Sequence, residues 1–144
     1  MDLSEYVLEP VHANETLALY RGKRRARSAS NPSILVVRPV SEHPAPVTLQ
    51  RLGHEYSLAS LLQPTWAARP LALTEHQGRA ALVLDDCGGV PMDTLLGTPM
   101  PLELFLRLAV GLAAALRDLH ASGIIHKDVK PSNVLVDVAT GRIQ

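Results

Sequence analysis

The chain has 144 residues, 14 acidic and 14 basic side chains, and 47% hydrophobic residues. That is one ordinary domain or a piece of a larger one, with enough apolar material for a core, and it excludes global disorder. Zero formal charge argues against a nucleic-acid partner held by counterion release. The single cysteine, Cys87, excludes an intrachain disulfide and a cysteine-built zinc site. The opening MDLSEYVLEP is acidic and lacks a long apolar run, so no signal peptide is expected. No stretch is long and apolar enough to span a bilayer. The expectation is a soluble cytoplasmic protein with neither nucleic acid nor membrane as partner.

In chain order, EYVLEP and LALYRG are short β-prone runs with VHANET as the turn between them. GKRRARSASNPS is a basic, serine-rich loop ending at a proline, and its charge cluster suits a solvated turn better than a binding patch. SILVVRPV is a strand that Pro39 confines to an end or an edge. EHPAPVTLQ is a loop entering a helix capped by Thr48. That helix runs through LQRLGHEYSLASLL with Leu52, Tyr56, Leu58 or Ala59, and Leu62 facing inward. PLALTEHQGRAALVLDD forms two strands around a glycine turn, CGGVP is a loop, and MDTLLG is a short helix.

The clearest element is PLELFLRLAVGLAAALRDLHASG. Leu102, Phe105, Leu106, Ala109, Leu112, Ala113, Leu116 and Leu119 recur at three- and four-residue steps and predict the buried face of a long helix. Pro101 suits its first turn and Gly123 its C-terminal cap. Small residues such as Gly111 let a neighbour approach closely. VLVD and GRIQ then form a hairpin around VATG. Strands with one inserted helix, then a long helix, then a hairpin make an α+β fold, not alternating βαβ units.

Between the long helix and the hairpin lies GIIHKDVKPSNVLVD. Phosphoryl transfer needs a group to orient a hydroxyl, metal ligands to spread charge, and cations on the phosphates. Asp128 can accept a hydroxyl proton, Lys130 can reach a phosphate, and Asn133 offers a carbonyl oxygen to a hard divalent cation. Pro131 stiffens the turn, and the ring of His126 is placed to support the loop from within.

His126 to Asn133 resembles the catalytic loop of protein kinases, and Lys130-Pro131 resembles its Ser/Thr branch. The resemblance implies a small β-rich lobe with one helix (1–86), then the hinge, long helix, catalytic loop and first hairpin of a helical large lobe (87–144). It implies ATP and Mg²⁺ as cofactors and a protein Ser or Thr hydroxyl as substrate. Asp128 and Lys130 would be catalytic and Asn133 a metal ligand. Leu84 would be the gatekeeper, and the backbone of Asp85 and Cys87 would face the adenine. Glu55 resembles the first-helix glutamate that pairs with a strand-three lysine.

Three departures accompany it. Val37 stands where the lysine should be, and the adjacent Arg38 faces the other side of the strand unless a bulge intervenes. EPVHANETLALYRG has no glycine until Gly22, so the loop expected over the phosphates is not glycine-rich. The D-F-G that carries a second metal ligand would come after Gln144, so residues 1–144 in isolation are expected to be inactive. YVLEPVHANETLALYRG and RLGHEYSLASLL also resemble the kinase-like start of large bacterial signalling proteins that continue into a sensor histidine kinase. That context implies further domains, and the departures imply an alternative: a catalytically weak, pseudokinase-like regulatory module.

Overall fold

The computed structural model describes residues 1–25 and 33–144. They fall into two compact units, Met1–Ser60 with Arg69–Asp86, and Leu61–Ala68 with Cys87–Gln144. Residues 61–68 therefore pack with the second unit, where the carbonyl of Pro64 accepts hydrogen bonds from the side chains of Arg142 and Gln144. Of the basic stretch 22–33, residues 26–32 lie outside the described residues.

The first unit is an antiparallel sheet of β1 (Tyr6–Ala13), β2 (Leu17–Arg24), β3 (Ile34–Pro39), β4 (Pro70–His76) and β5 (Arg79–Asp85), in the order β1-β2-β3-β5-β4. The strands outrun the predicted ones, and only Asn14 to Thr16 remain as the first turn. Pro39 ends β3, which lies at the centre of the sheet, and Pro10 sits in edge strand β1 beside a bulge, where a missing N–H costs little. The β4–β5 turn has two residues, Gln77 (φ +53°) and Gly78 (φ +71°). Two positive φ values match the twist of the flanking strands.

Strand alternation gives the sheet two faces. Ile34 and Val36 of β3 join Ala81 and Val83 of β5, with Leu3 and Tyr6 of the N-terminal segment, in one buried cluster. Leu35, Leu82 and Leu84 are also buried but alternate to the other face. Between β3 and β4 lies α1 (Pro46–Ser57), which packs on β4 and β5 through the fully buried Leu52. Burying that side chain contributes about 2 kcal/mol. The helix begins two residues before Thr48, with Ala45 at the cap and Pro46 in the first turn, so Thr48 caps nothing. It also ends before Leu62, and Tyr56 is exposed.

In the second unit a three-stranded sheet, β6 (Val90–Pro91), β7 (Leu135–Asp137) and β8 (Arg142–Ile143), packs against α2 (Leu102–Ala121). MDTL forms a single 3₁₀ turn. Strand β6 falls in the predicted loop, because two residues are too few for an alternating pattern. Pro101 is the N-cap of α2, and Gly123 (φ +77°) ends it. Gly123 N–H donates to His120 O at 2.9 Å and Ile124 N–H to Leu119 O at 3.2 Å, the paired closure that a left-handed glycine permits.

The packed face of α2 is Leu104, Leu108, Leu112, Ala115 and Leu119. This is rotated from the predicted face, since Leu102, Phe105 and Leu106 are exposed. The early turns are apolar almost all round, so periodicity alone did not select the side that receives the hairpin. Gly111 does select it: a Cβ there would lie 3.2 Å from the carbonyl oxygen of Gly141 and 3.3 Å from the Ile143 side chain. The α+β class is as expected. Among the described residues no helix is long and apolar enough to cross a membrane.

Candidate active site

The loop leaving α2 turns sharply at Lys127, whose φ of +62° lies in the left-handed region. For a non-glycine residue this costs about 1–2 kcal/mol, and such strain concentrates at functional loops. The turn brings the Asp128 N–H within 3.3 Å of His126 Nδ1, which accepts its hydrogen bond. The ring thus supports the loop from within.

Pro131–Asn133 then form a 3₁₀ turn started by the fixed φ of Pro131. Asn133 N–H donates to Lys130 O at 2.9 Å. The turn aims the Asn133 carboxamide back at Asp128. Its Nδ2 donates to the Asp128 carbonyl at 2.9 Å and to Asp128 Oδ2 at 3.0 Å. Lys130 Nζ lies 2.9 Å from the same Oδ2, with both side chains 47% exposed. At that exposure the ion pair contributes little to stability, and its value is positional. Asp128, Lys130 and Asn133 are brought together on one surface loop.

The amide nitrogen of Asn133 is used by Asp128, so its carbonyl oxygen Oδ1 points elsewhere and accepts no hydrogen bond among the described residues. It is a suitable ligand for a hard cation. Among the described residues no three His, Cys, Asp or Glu side chains cluster to hold a metal. Mg²⁺ takes one or two side-chain oxygens and fills the rest with water and phosphate, so this loop fits it as a partial site.

The other sequence-predicted residues lie apart from this loop in the chain. Leu84 is buried in β5, opposite Leu35. Asp85 ends β5; its N–H donates to Arg69 O at 2.9 Å, and its carboxylate meets Arg69 Nε at 3.2 Å. Cys87 begins the longer segment of the second unit, and its sulfur accepts from the Gly89 N–H at 3.4 Å. Glu55, in the last turn of α1, forms no ion pair among the described residues. Burial raises its carboxyl pKa, and attraction from Arg51 one turn away offsets part of that.

Val37 lies between Leu19 of β2 and Leu82 of β5 in unbroken register. No bulge brings Arg38 round to its face. Arg38 instead donates to the His76 carbonyl at 3.4 Å and lines a cavity of about 500 Å³ with Tyr20, Gln77 and Arg79. One feature escaped sequence reasoning altogether: Arg21 and Asp86 form a close ion pair, Nε to Oδ2 2.6 Å. Only cross-strand register places residues 65 positions apart together, and no local pattern marks them.

No protein-family model matches the chain. It is 41% identical over 72 residues to the serine/threonine-protein kinase AfsK of Streptomyces griseus, covering 49% of this chain and 8% of that protein. It is 36% identical over 92 residues to the serine/threonine-protein kinase pkn2 of Myxococcus xanthus, covering 60% and 11%. It is 33% identical over 84 residues to mouse dual specificity testis-specific protein kinase 1, covering 57% and 13%. The chain thus spans about a tenth of the length of these curated relatives. These matches, with the five-stranded antiparallel sheet and its one helix, support a protein-kinase-like domain.

Proposed function

We propose that the intact protein is a cytoplasmic Ser/Thr protein kinase that transfers the γ-phosphoryl group of ATP to a protein hydroxyl. Asp128 orients the hydroxyl and receives its proton, Lys130 meets the transferring phosphate, and Asn133 contributes one oxygen to Mg²⁺. The observation that carries this reading is the convergence of Lys130 and Asn133 on Asp128 Oδ2, at 2.9 and 3.0 Å. Two donors on one oxygen fix the direction of the carboxylate, which a hydroxyl-orienting base requires. When bound, Mg²⁺ offsets the negative charge of the phosphates. The end of β5, from Leu84 through the backbone of Asp85 and Cys87, is the segment assigned to the adenine, and Glu55 is assigned a supporting place on α1. Further domains of the same polypeptide would supply the signal, and a D-F-G segment of the kinase-like domain the second metal ligand.

A second reading, a regulatory module of a signalling protein with little or no turnover, is favoured by Val37. That position puts no cation on the Leu35–Val37 face of β3. Incubating the intact protein with γ-labelled ATP, Mg²⁺ and a generic protein acceptor separates the two. Label on Ser or Thr supports the kinase, and none above a protein-free control supports the module.

A further inference from the structure

A loop that covers phosphates does so with N–H groups that have no acceptor of their own. The turn joining β1 to β2 consists of Asn14, Glu15 and Thr16, all exposed, and the N–H groups of Thr16 and of Leu17 just after it are already engaged. Thr16 N–H and Leu17 N–H each donate to Asn14 Oδ1 at 2.9 Å, and the Thr16 hydroxyl donates to the same oxygen at 3.1 Å. One oxygen ringed by three donors is the arrangement a phosphate oxygen would take.

The turn is fastened further. Asn14 N–H donates to Leu17 O at 2.9 Å, and Val40 N–H donates to Thr16 O at 3.0 Å, tying it to the end of β3. Glu15 puts a carboxylate at the tip, with no ion pair among the described residues. A polyphosphate arriving here would have to displace Asn14 and approach a like charge.

Building on the kinase reading above, we propose that Asn14 is a specificity-determining residue. Its carboxamide oxygen holds the donors that phosphate oxygens would use, so the strand-rich unit reads the base and sugar of a nucleotide and gains little from its phosphates. Valine at position 37 acts in the same direction.

Two measurements on the full-length protein test this. The first is amide hydrogen exchange at Thr16 and Leu17, which should be slow in the wild type and fast in Asn14→Gly. The second is calorimetric titration with adenosine and with ADP. In the wild type the two dissociation constants should agree within about threefold, and in Asn14→Gly ADP should bind at least about tenfold more tightly than adenosine. Asn14→Asp keeps the acceptor and adds charge, so ADP should gain nothing over adenosine. Fast exchange in the wild type overturns the proposal. So does a wild type that prefers ADP by about a hundredfold or more, unchanged in Asn14→Gly. A protein that binds neither ligand defeats the kinase reading instead, and exchange at Thr16 and Leu17 still decides whether Asn14 holds those donors.

Discussion

Arg21 grips Asp86 with both prongs of its guanidinium, Nε 2.6 Å from one carboxylate oxygen and Nη2 3.0 Å from the other. The pair ties β2 to the residue just past β5. The Asp86 side chain is 0% exposed and that of Arg21 18%. Removing one partner of such a pair strands the other charge away from water. Arg21→Ala should therefore cost about 3 kcal/mol, read as a lowered urea midpoint with unchanged slope. In a double-mutant cycle with Asp86→Ala, the coupling should exceed about 1 kcal/mol. Additive single effects would show that the pair contributes no interaction of its own.

Local signals made most of the fold legible. The two-residue turn at Gln77-Gly78 and the glycine-ended helix α2 have short-range causes, so sequence located them closely. The convergence of Asp128, Lys130 and Asn133 was legible for the same reason, since they lie within six residues. What stayed hidden depends on partners far along the chain. Strand β6 exists only because β7 pairs with it. The packed face of α2 was set by the arrival of β8 at Gly111, and helix periodicity could not choose between two apolar sides. The sealing of the first turn by Asn14 was hidden differently: the glycine deficit was visible in sequence, but the use of one side-chain oxygen by three donors was not.

Gly89 precedes β6 and lies against β7. A Cβ there would sit 2.8 Å from the carbonyl carbon and 2.9 Å from the carbonyl oxygen of Val136. Backbone atoms of a paired strand cannot yield as a flexible side chain does. Gly89→Ala should destabilise the second unit by about 1–3 kcal/mol, seen as a lower thermal midpoint. An unchanged midpoint would mean that β6 and β7 separate at little cost.

The half-buried carboxyl of Glu55 gives a pH dependence of definite sign. Burial raises it above its ordinary value of 4.5, so the folded state binds its proton more tightly than the unfolded chain. As pH rises from 4.5 through the raised folded value, this group's contribution to stability falls, and it stays reduced above that window. Glu55→Gln should remove that slope and leave the protein more stable at neutral pH. Denaturant titrations at several pH values check it, and a variant less stable at neutral pH would mean that the carboxylate has a cationic partner in solution.

The same carboxylate motivates Val37→Lys. A lysine on that face would supply the missing cation, and desolvation of the new ammonium would limit the gain. ADP affinity of the intact protein should rise by roughly tenfold. Calorimetric titration decides it. Equal or weaker binding by the lysine form, together with loss of binding in Arg38→Ala, would mean that Arg38 fills the place assigned here to position 37.

The most direct measurement is phosphotransfer by the intact protein beside its Asp128→Asn variant, with γ-labelled ATP and a generic protein acceptor. The substitution keeps the size of the side chain that Asn133 and Lys130 hold, and removes the charge proposed to take up the hydroxyl proton. The expected result is incorporation of label by the wild type and a fall of at least about a hundredfold in the variant, with the two thermal midpoints within about 3 °C of each other. Equal labelling by the two proteins would remove Asp128 from the chemistry and contradict the account.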